Sequence, residues 1–273
     1  MSPLVARRTG FIVVLLAVCA LTAALWYFLE ISLRATAMYT GVLLLALVLV
    51  LTLFNARKKL PFLPLGNAAT WLQVHIYLGW FSLFVFLLHI HFRVPRGMLE
   101  GTLASVFCLV AFSGVFGLYV SRSLPPRMAR SGEPLIYQRI PAFRLRIKCT
   151  VEKLIRKAEA ETDSSTLGDH YVAHLRKFFD HLPTAASALL SPERPLHGIL
   201  AGMAALNCYL NAQEKEIAKE ICDWIETKQN LDFQYASQRL LKLWLFVHIP
   251  ATYALIVMAI VHGYLAAVYT GRI

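Results

Sequence analysis

Residues 70–92 read TWLQVHIYLGWFSLFVFLLHIHF, 23 positions without an Asp, Glu, Lys or Arg. One α-helix needs about 20 mostly apolar residues to cross a hydrocarbon core, so the stretch is long enough to span a bilayer. A strand reading fails, because period-two alternation is absent and open sheets cannot satisfy their backbone in lipid. Embedded in the stretch are His75, His89 and His91. Ionisable side chains at membrane depth are expensive and rare, which makes each of them a functional candidate.

Four more runs have the same character, 11–29, 35–54, 101–121 and 243–270, again without Asp, Glu, Lys or Arg. With 58% hydrophobic residues and a mean hydropathy of +0.57, the 273-residue chain is too apolar for a soluble domain. The expected fold is all-α, an integral membrane bundle of five transmembrane helices. Residues 1–121 carry helices one to four, 122–242 form a small helical cytoplasmic insert, and 243–273 complete the bundle. Lipid is the first expected partner.

The net charge of +11 could suit nucleic acid, but the basic residues gather at the ends of the apolar runs, where topology explains them better. Arg7 and Arg8, then Arg57, Lys58 and Lys59, then Arg122 fall on one side if the spans alternate; the other side carries Arg34, Arg93, Arg96 and Arg272. The richer side is expected to be the cytoplasm, with the N-terminus there and the chain in a bacterial-type inner membrane. A rival reading of the first run is a signal sequence with Cys19 at a lipoprotein-like site, but the run is long for that and a second span follows at once. The five cysteines (19, 108, 149, 208, 222) form no Cys-x-x-Cys or Cys-x-x-Cys-His motif, which removes covalent c-type haem and leaves mostly buried free thiols as the expectation.

Between the fourth and fifth runs, positions 123–157 hold nine Lys or Arg against Glu133 and Glu152, as a membrane-facing or partner-facing basic surface would. Leu167, Tyr171, Val172, Leu175, Phe178 and Phe179 follow helical spacing, as do Ile217, Ile221, Trp224 and Ile225, and both stripes read as core. Pro125 and Pro126 mark the exit from the fourth span, and Pro192 and Pro195 a turn. His170 and His174, four apart beside Asp169 and followed by His181, admit a metal, although surface polar residues flanking an amphipathic stripe explain them equally well.

The membrane histidines carry more. His89 follows His75 by 14 residues, and His262 follows His248 by 14. Fourteen steps of about 100° fall some 40° short of four turns, so each pair shares a helix face with its members about 21 Å apart. His91, two residues beyond His89, points elsewhere and reads as an interfacial histidine. Spans three and five run the same way if the charge assignment holds, which pairs His75 with His248 near the inner face and His89 with His262 near the outer. Haem iron takes axial ligands from both sides of its ring and imidazole is a common donor, so the two rungs suit two haems b. Gly79, Gly114, Gly117 and Gly263 offer room for a flat macrocycle, though glycine is common in membrane helix contacts. Arg93, Arg96 and Lys242, with Lys58, Lys59 and Arg239, are candidates for the haem propionates, or simply anchors at the interface. The competing reading of the histidines is hydrogen-bonding glue between helices.

The paired motif, His75-x13-His89 with His248-x13-His262, resembles the dihaem membrane cytochromes b: the cytochrome b core of quinol-oxidising bc complexes and the ferric reductase and NADPH oxidase group, whose ligands also lie on the third and fifth spans. The resemblance covers the membrane half and implies two haem irons held by these four histidines. It departs from those families in three ways: no flavin or nicotinamide domain or Gly-x-Gly-x-x-Gly follows the fifth span, there is no second membrane domain, and an insert separates spans four and five. The expected function is a dihaem b-type subunit carrying electrons across the membrane. Its expected exchange is with a quinone on one side and a partner on the other, a multihaem c-type cytochrome or an iron–sulfur protein. The alternatives are a membrane reductase fed by a docked cytoplasmic donor, and a non-redox assembly or transport protein.

Overall fold

A computed structural model describes residues 3–32, 35–59, 68–133, 135–189 and 193–270. Arg34, Pro192 and Arg272 lie outside the described residues, as do the side chains of Arg7, Arg8, Arg57, Lys58, Lys59 and Pro195. The described chain is all-α: α1 (Pro3–Ile31), α2 (Thr36–Lys59), α3 (Ala68–His89), α4 (Met98–Arg130), α5 (Ile140–Thr162), α6 (Thr166–His170), a π-helical turn (Tyr171–Leu175), α7 (Arg176–Asp180), a 3-10 turn (Ala185–Ala188), α8 (Glu193–Leu206) and α9 (Ala212–Thr270). Five of these helices are long and apolar enough to cross a membrane, so the chain is a multi-pass membrane protein.

Two compact units divide the fold, one formed by 1–116 with 246–273 and the other by 117–245. In the first, helix directions follow from the contacts. Phe11 of α1 stacks on Tyr77 at 5.2 Å while Trp26 lies 5.7 Å from His91, so α1 runs parallel to α3. Phe54 of α2 meets His75, and Thr40 meets His89, so α2 runs against α3. Phe86, Phe107 and Leu255 share one buried cluster, Ser113 meets His248, and His89 faces His262. Helix α4 is therefore antiparallel to the last stretch of α9, and α3 is parallel to it, as alternating spans require. Val13, Leu16, Leu21, Leu25 and Phe28 of α1 stay exposed, an apolar surface that only lipid or another apolar partner can cover.

Helix α3 stops three residues short of the expected span. His91 and Phe92 adopt left-handed φ angles of 51° and 56°, and Phe92 N–H donates to the Leu87 carbonyl while His91 N–H donates to that of Leu88. This is a Schellman C-cap, and histidine is one of the few side chains enriched in that conformation. His91 thus leaves the pair's face because the helix has ended, and a helical angle does not apply to it.

Helix α4 does not stop at Pro125 and Pro126, the expected exit of the fourth span, but continues through both to Arg130. Each proline removes one backbone donor, which is tolerated near a helix end where Leu124, fully buried, packs with Phe233 and Ala236. Likewise α9 starts far before residue 243. Its N-terminus is a capping box in which Asn211 Oδ1 accepts from Glu214 N–H and Glu214 Oε2 accepts from Asn211 N–H.

The core of the second unit joins Ile147, Val151 and Ile155 of α5 to Leu167, Tyr171, Leu175 and Phe179 and to Ile217, Ile221 and Ile225 of α9, so both stripes are core; Val172, 61% exposed, is the exception. Steps of four residues overrun a 3.6-residue turn by about 40° each, and the wider i→i+5 turn at Tyr171–Leu175 takes back part of that drift. The basic surface expected over 123–157 is partly internal. Arg144 is buried and its Nε lies 2.5 Å from Asp232, whose other oxygen lies 2.6 Å from the fully buried Lys228 Nζ. Lys148 pairs with Asp180 and Arg127 lies over the Phe233 ring. The thiols are also less hidden than expected, with Cys149 and Cys208 exposed and the other three half-buried.

Candidate functional site

His89 ends α3 and His262 lies two turns before the end of α9; their ring centres are 6.4 Å apart and their planes are 87° to each other. Two imidazoles on opposite sides of one metal, each bonded at about 2 Å and with its ring centre about 1 Å further on, sit roughly 6 Å apart. The separation therefore fits trans ligation, and perpendicular rings about a common axis are compatible with it.

A hydroxyl of α2 meets the His89 ring. Thr40 Oγ1 lies 2.9 Å from the Thr36 carbonyl oxygen and 3.0 Å from His89 Nδ1. With the hydroxyl proton given to the helix carbonyl, Thr40 would accept from His89 Nδ1–H. In that tautomer Nε2 would carry the lone pair, as outer hydrogen bonds arrange for ligating histidines. Gly41, the next residue of α2, makes the space: a Cβ there would stand 3.0 Å from His89 Cε1.

His248 has the same arrangement on a different helix. Ser113 Oγ lies 2.9 Å from the Val110 carbonyl oxygen and 2.6 Å from His248 Nδ1, so a hydroxyl again faces the Nδ1 side of the ring. Gly114 flanks it, with room for a Cβ at 3.7 Å from His248 Cε1. His75 lies on α3 with its ring 5.1 Å from that of Phe54.

Of the expected site residues, His89 and His262 are brought together, whereas His75 and His248 are each described by a separate neighbour. Gly79 and Gly263 face open space, as a slot for a flat group needs, but Gly117 is filled by the Trp244 indole and leaves no such room. Arg93 and Arg96 are exposed in the loop after α3, at the His89 end. Lys242 is committed elsewhere, its ammonium 3.7 Å above the Tyr137 ring. His91 Nε2 lies 3.6 Å from Glu30 Oε2, which also accepts from Thr36 Oγ1 at 2.7 Å. Sequence reasoning missed Thr40, Gly41 and Ser113. Their signal was the isolated hydroxyl or glycine inside an otherwise apolar run, a pattern membrane helices use for close or polar contacts.

Fold and site together define an all-α, multi-pass membrane protein with two histidines facing each other from parallel helices. No family model matches the chain, and no curated protein or solved structure does either.

Proposed function

We propose that the chain is a dihaem b-type electron-transfer subunit of a membrane oxidoreductase complex, holding one haem between His89 and His262 and a second between His75 and His248. The observation that carries this reading is the 6.4 Å separation of the His89 and His262 rings, together with the 3.0 Å contact of His89 Nδ1 with Thr40. Haem b held by these histidines would supply one-electron redox chemistry. The chain's own residues do the rest. Thr40 and Ser113 hold the imidazoles in the ligating tautomer, Gly41 and Gly114 let the rings approach their neighbouring helices, and Gly79 and Gly263 leave room beside the ligands. Arg93 and Arg96 are cationic partners for propionates at the His89 end.

Electrons pass between a quinone pool and a partner redox subunit, a multihaem c-type cytochrome or an iron–sulfur protein, which supplies the donor or acceptor domain. The Lys and Arg bias of the loops supports a cytoplasmic N-terminus in a bacterial-type inner membrane. The test is absorption of the purified full chain: a reduced b-type α-band with two haems per chain is expected, and one haem is expected to vanish in His89→Ala or His262→Ala. A chain that purifies folded and binds no haem under reconstitution sinks the reading.

A further inference from the structure

The second unit holds a histidine pair of different geometry. His170 closes α6 and His174 lies on the π-helical turn, with ring centres 4.9 Å apart and planes 46° to each other. Two imidazoles bound to one metal at about 2 Å in neighbouring positions, at an angle of about 90–110°, have ring centres about 5 Å apart. The pair thus has the spacing of cis ligands, where the membrane pair has that of trans ligands. Both rings line a cavity of about 260 Å³, whose other walls are Leu175 and the α8 residues Gly198, Ile199 and Gly202.

The local backbone makes this cavity. A π turn is a rare conformation that recurs at functional sites, and here it begins directly after His170 and includes His174. Opposite, Gly198 faces open space, and a Cβ at Gly202 would reach only to 3.8 Å from His170 Cε1, so α8 leaves the space in front of the rings unfilled. Asp169 is turned to Ser165, whose hydroxyl it accepts at 2.9 Å, and it takes no part. No group of three or more His, Cys, Asp or Glu among the described residues forms a closed cage, so an ion held by this pair keeps positions for water or an incoming ligand.

We infer that His170, His174 and the cavity under α8 form a binding site for a late first-row divalent ion, Cu²⁺ or Zn²⁺, with open coordination positions. Imidazole suits these ions, and Cu²⁺ heads the affinity order for nitrogen donors. The site is independent of the haem reading: it involves none of the membrane histidines and stands or falls alone.

The experiment is Cu²⁺ titration of the full chain as purified in detergent, beside a His89→Ala/His262→Ala variant that removes the membrane pair, followed by electron paramagnetic resonance and by Zn²⁺ competition. One Cu²⁺ per chain with nitrogen couplings from two imidazoles is expected, displaced by Zn²⁺. His170→Gln and His174→Gln, which keep side-chain volume, are each expected to weaken binding about tenfold or more. His181→Ala and His197→Ala, exposed and outside the cavity lining, are expected to leave it unchanged. Unaltered stoichiometry and nitrogen couplings in the His170→Gln/His174→Gln double variant, with native helical content, would overturn the assignment. So would the absence of any two-nitrogen Cu²⁺ signal in the unmodified chain.

Discussion

Thr40 Oγ1 lies 3.0 Å from His89 Nδ1 while it also reaches the carbonyl oxygens of Thr36 at 2.9 Å and Ala37 at 3.2 Å, so a hydroxyl held by its own helix meets the ring. Thr40→Val keeps the shape and removes that hydroxyl. It is expected to lower affinity at the His89–His262 site about 10–100-fold, the usual effect of losing an outer hydrogen bond to a ligating histidine. Thr40→Ser is expected to retain it. Haem per chain after dilution, read by pyridine haemochrome, measures both.

Gly41 and Gly114 separate by distance. A Cβ at Gly41 would stand 3.0 Å from His89 Cε1, so Gly41→Ala must displace the ring by a few tenths of an ångström, whereas Gly114→Ala puts a Cβ in ordinary contact, 3.7 Å from His248 Cε1. The first is expected to broaden or lose the signal of one haem in low-temperature spectra. The second is expected to leave both intact.

Asp232 bridges two buried cations, Arg144 and Lys228. Asp232→Ala removes the counter-charge that meets both, leaving Arg144 the His181 carbonyl and Lys228 the Phe178 carbonyl and ring, while Lys228→Met leaves the Arg144 pair in place. Breaking a buried pair costs about 3–5 kcal/mol, so Asp232→Ala is expected to fall at or above that range and Lys228→Met clearly below it. Chemical unfolding in detergent, followed by the near-ultraviolet signal of the second unit, ranks them.

The hydrogen bond from Lys148 at 2.5 Å holds the Asp180 carboxyl below its ordinary range. A carboxyl depressed on folding adds stability that is present above its unfolded value near 4 and is lost as the pH falls through the folded value. The pair is solvent-exposed, so the contribution is modest and screened by salt. Unfolding midpoints of the parent and Lys148→Met are therefore expected to differ at pH 6 in low salt and to converge as the pH falls below 4; a constant difference across that range would contradict the linkage.

The insert shows what a linear reading misses. Nine cationic residues between 123 and 157 look like one charged face, yet Arg144 is buried against Asp232, 88 positions later in the chain. Pro125 and Pro126 read as a stop, and α4 passes through them because Leu124 gains a buried place against Phe233 and Ala236. In each case a contact distant in sequence overrides a local tendency.

The five apolar spans, and the 14-residue spacing that sets His75 with His89 and His248 with His262 on single helix faces, follow from the order of residues alone. Both are local properties, one of side-chain solubility in hydrocarbon and one of helical pitch, and need no knowledge of neighbours. Tertiary packing brings the His89 and His262 rings to 6.4 Å and the His170 and His174 rings to 4.9 Å. It also sets hydroxyls of α2 and α4 against His89 Nδ1 and His248 Nδ1, and His91 leaves the pair's face because α3 ends in a left-handed turn. Those facts depend on which helices pack together and where backbone donors find acceptors, and a spacing along one helix carries no information about the helix beside it.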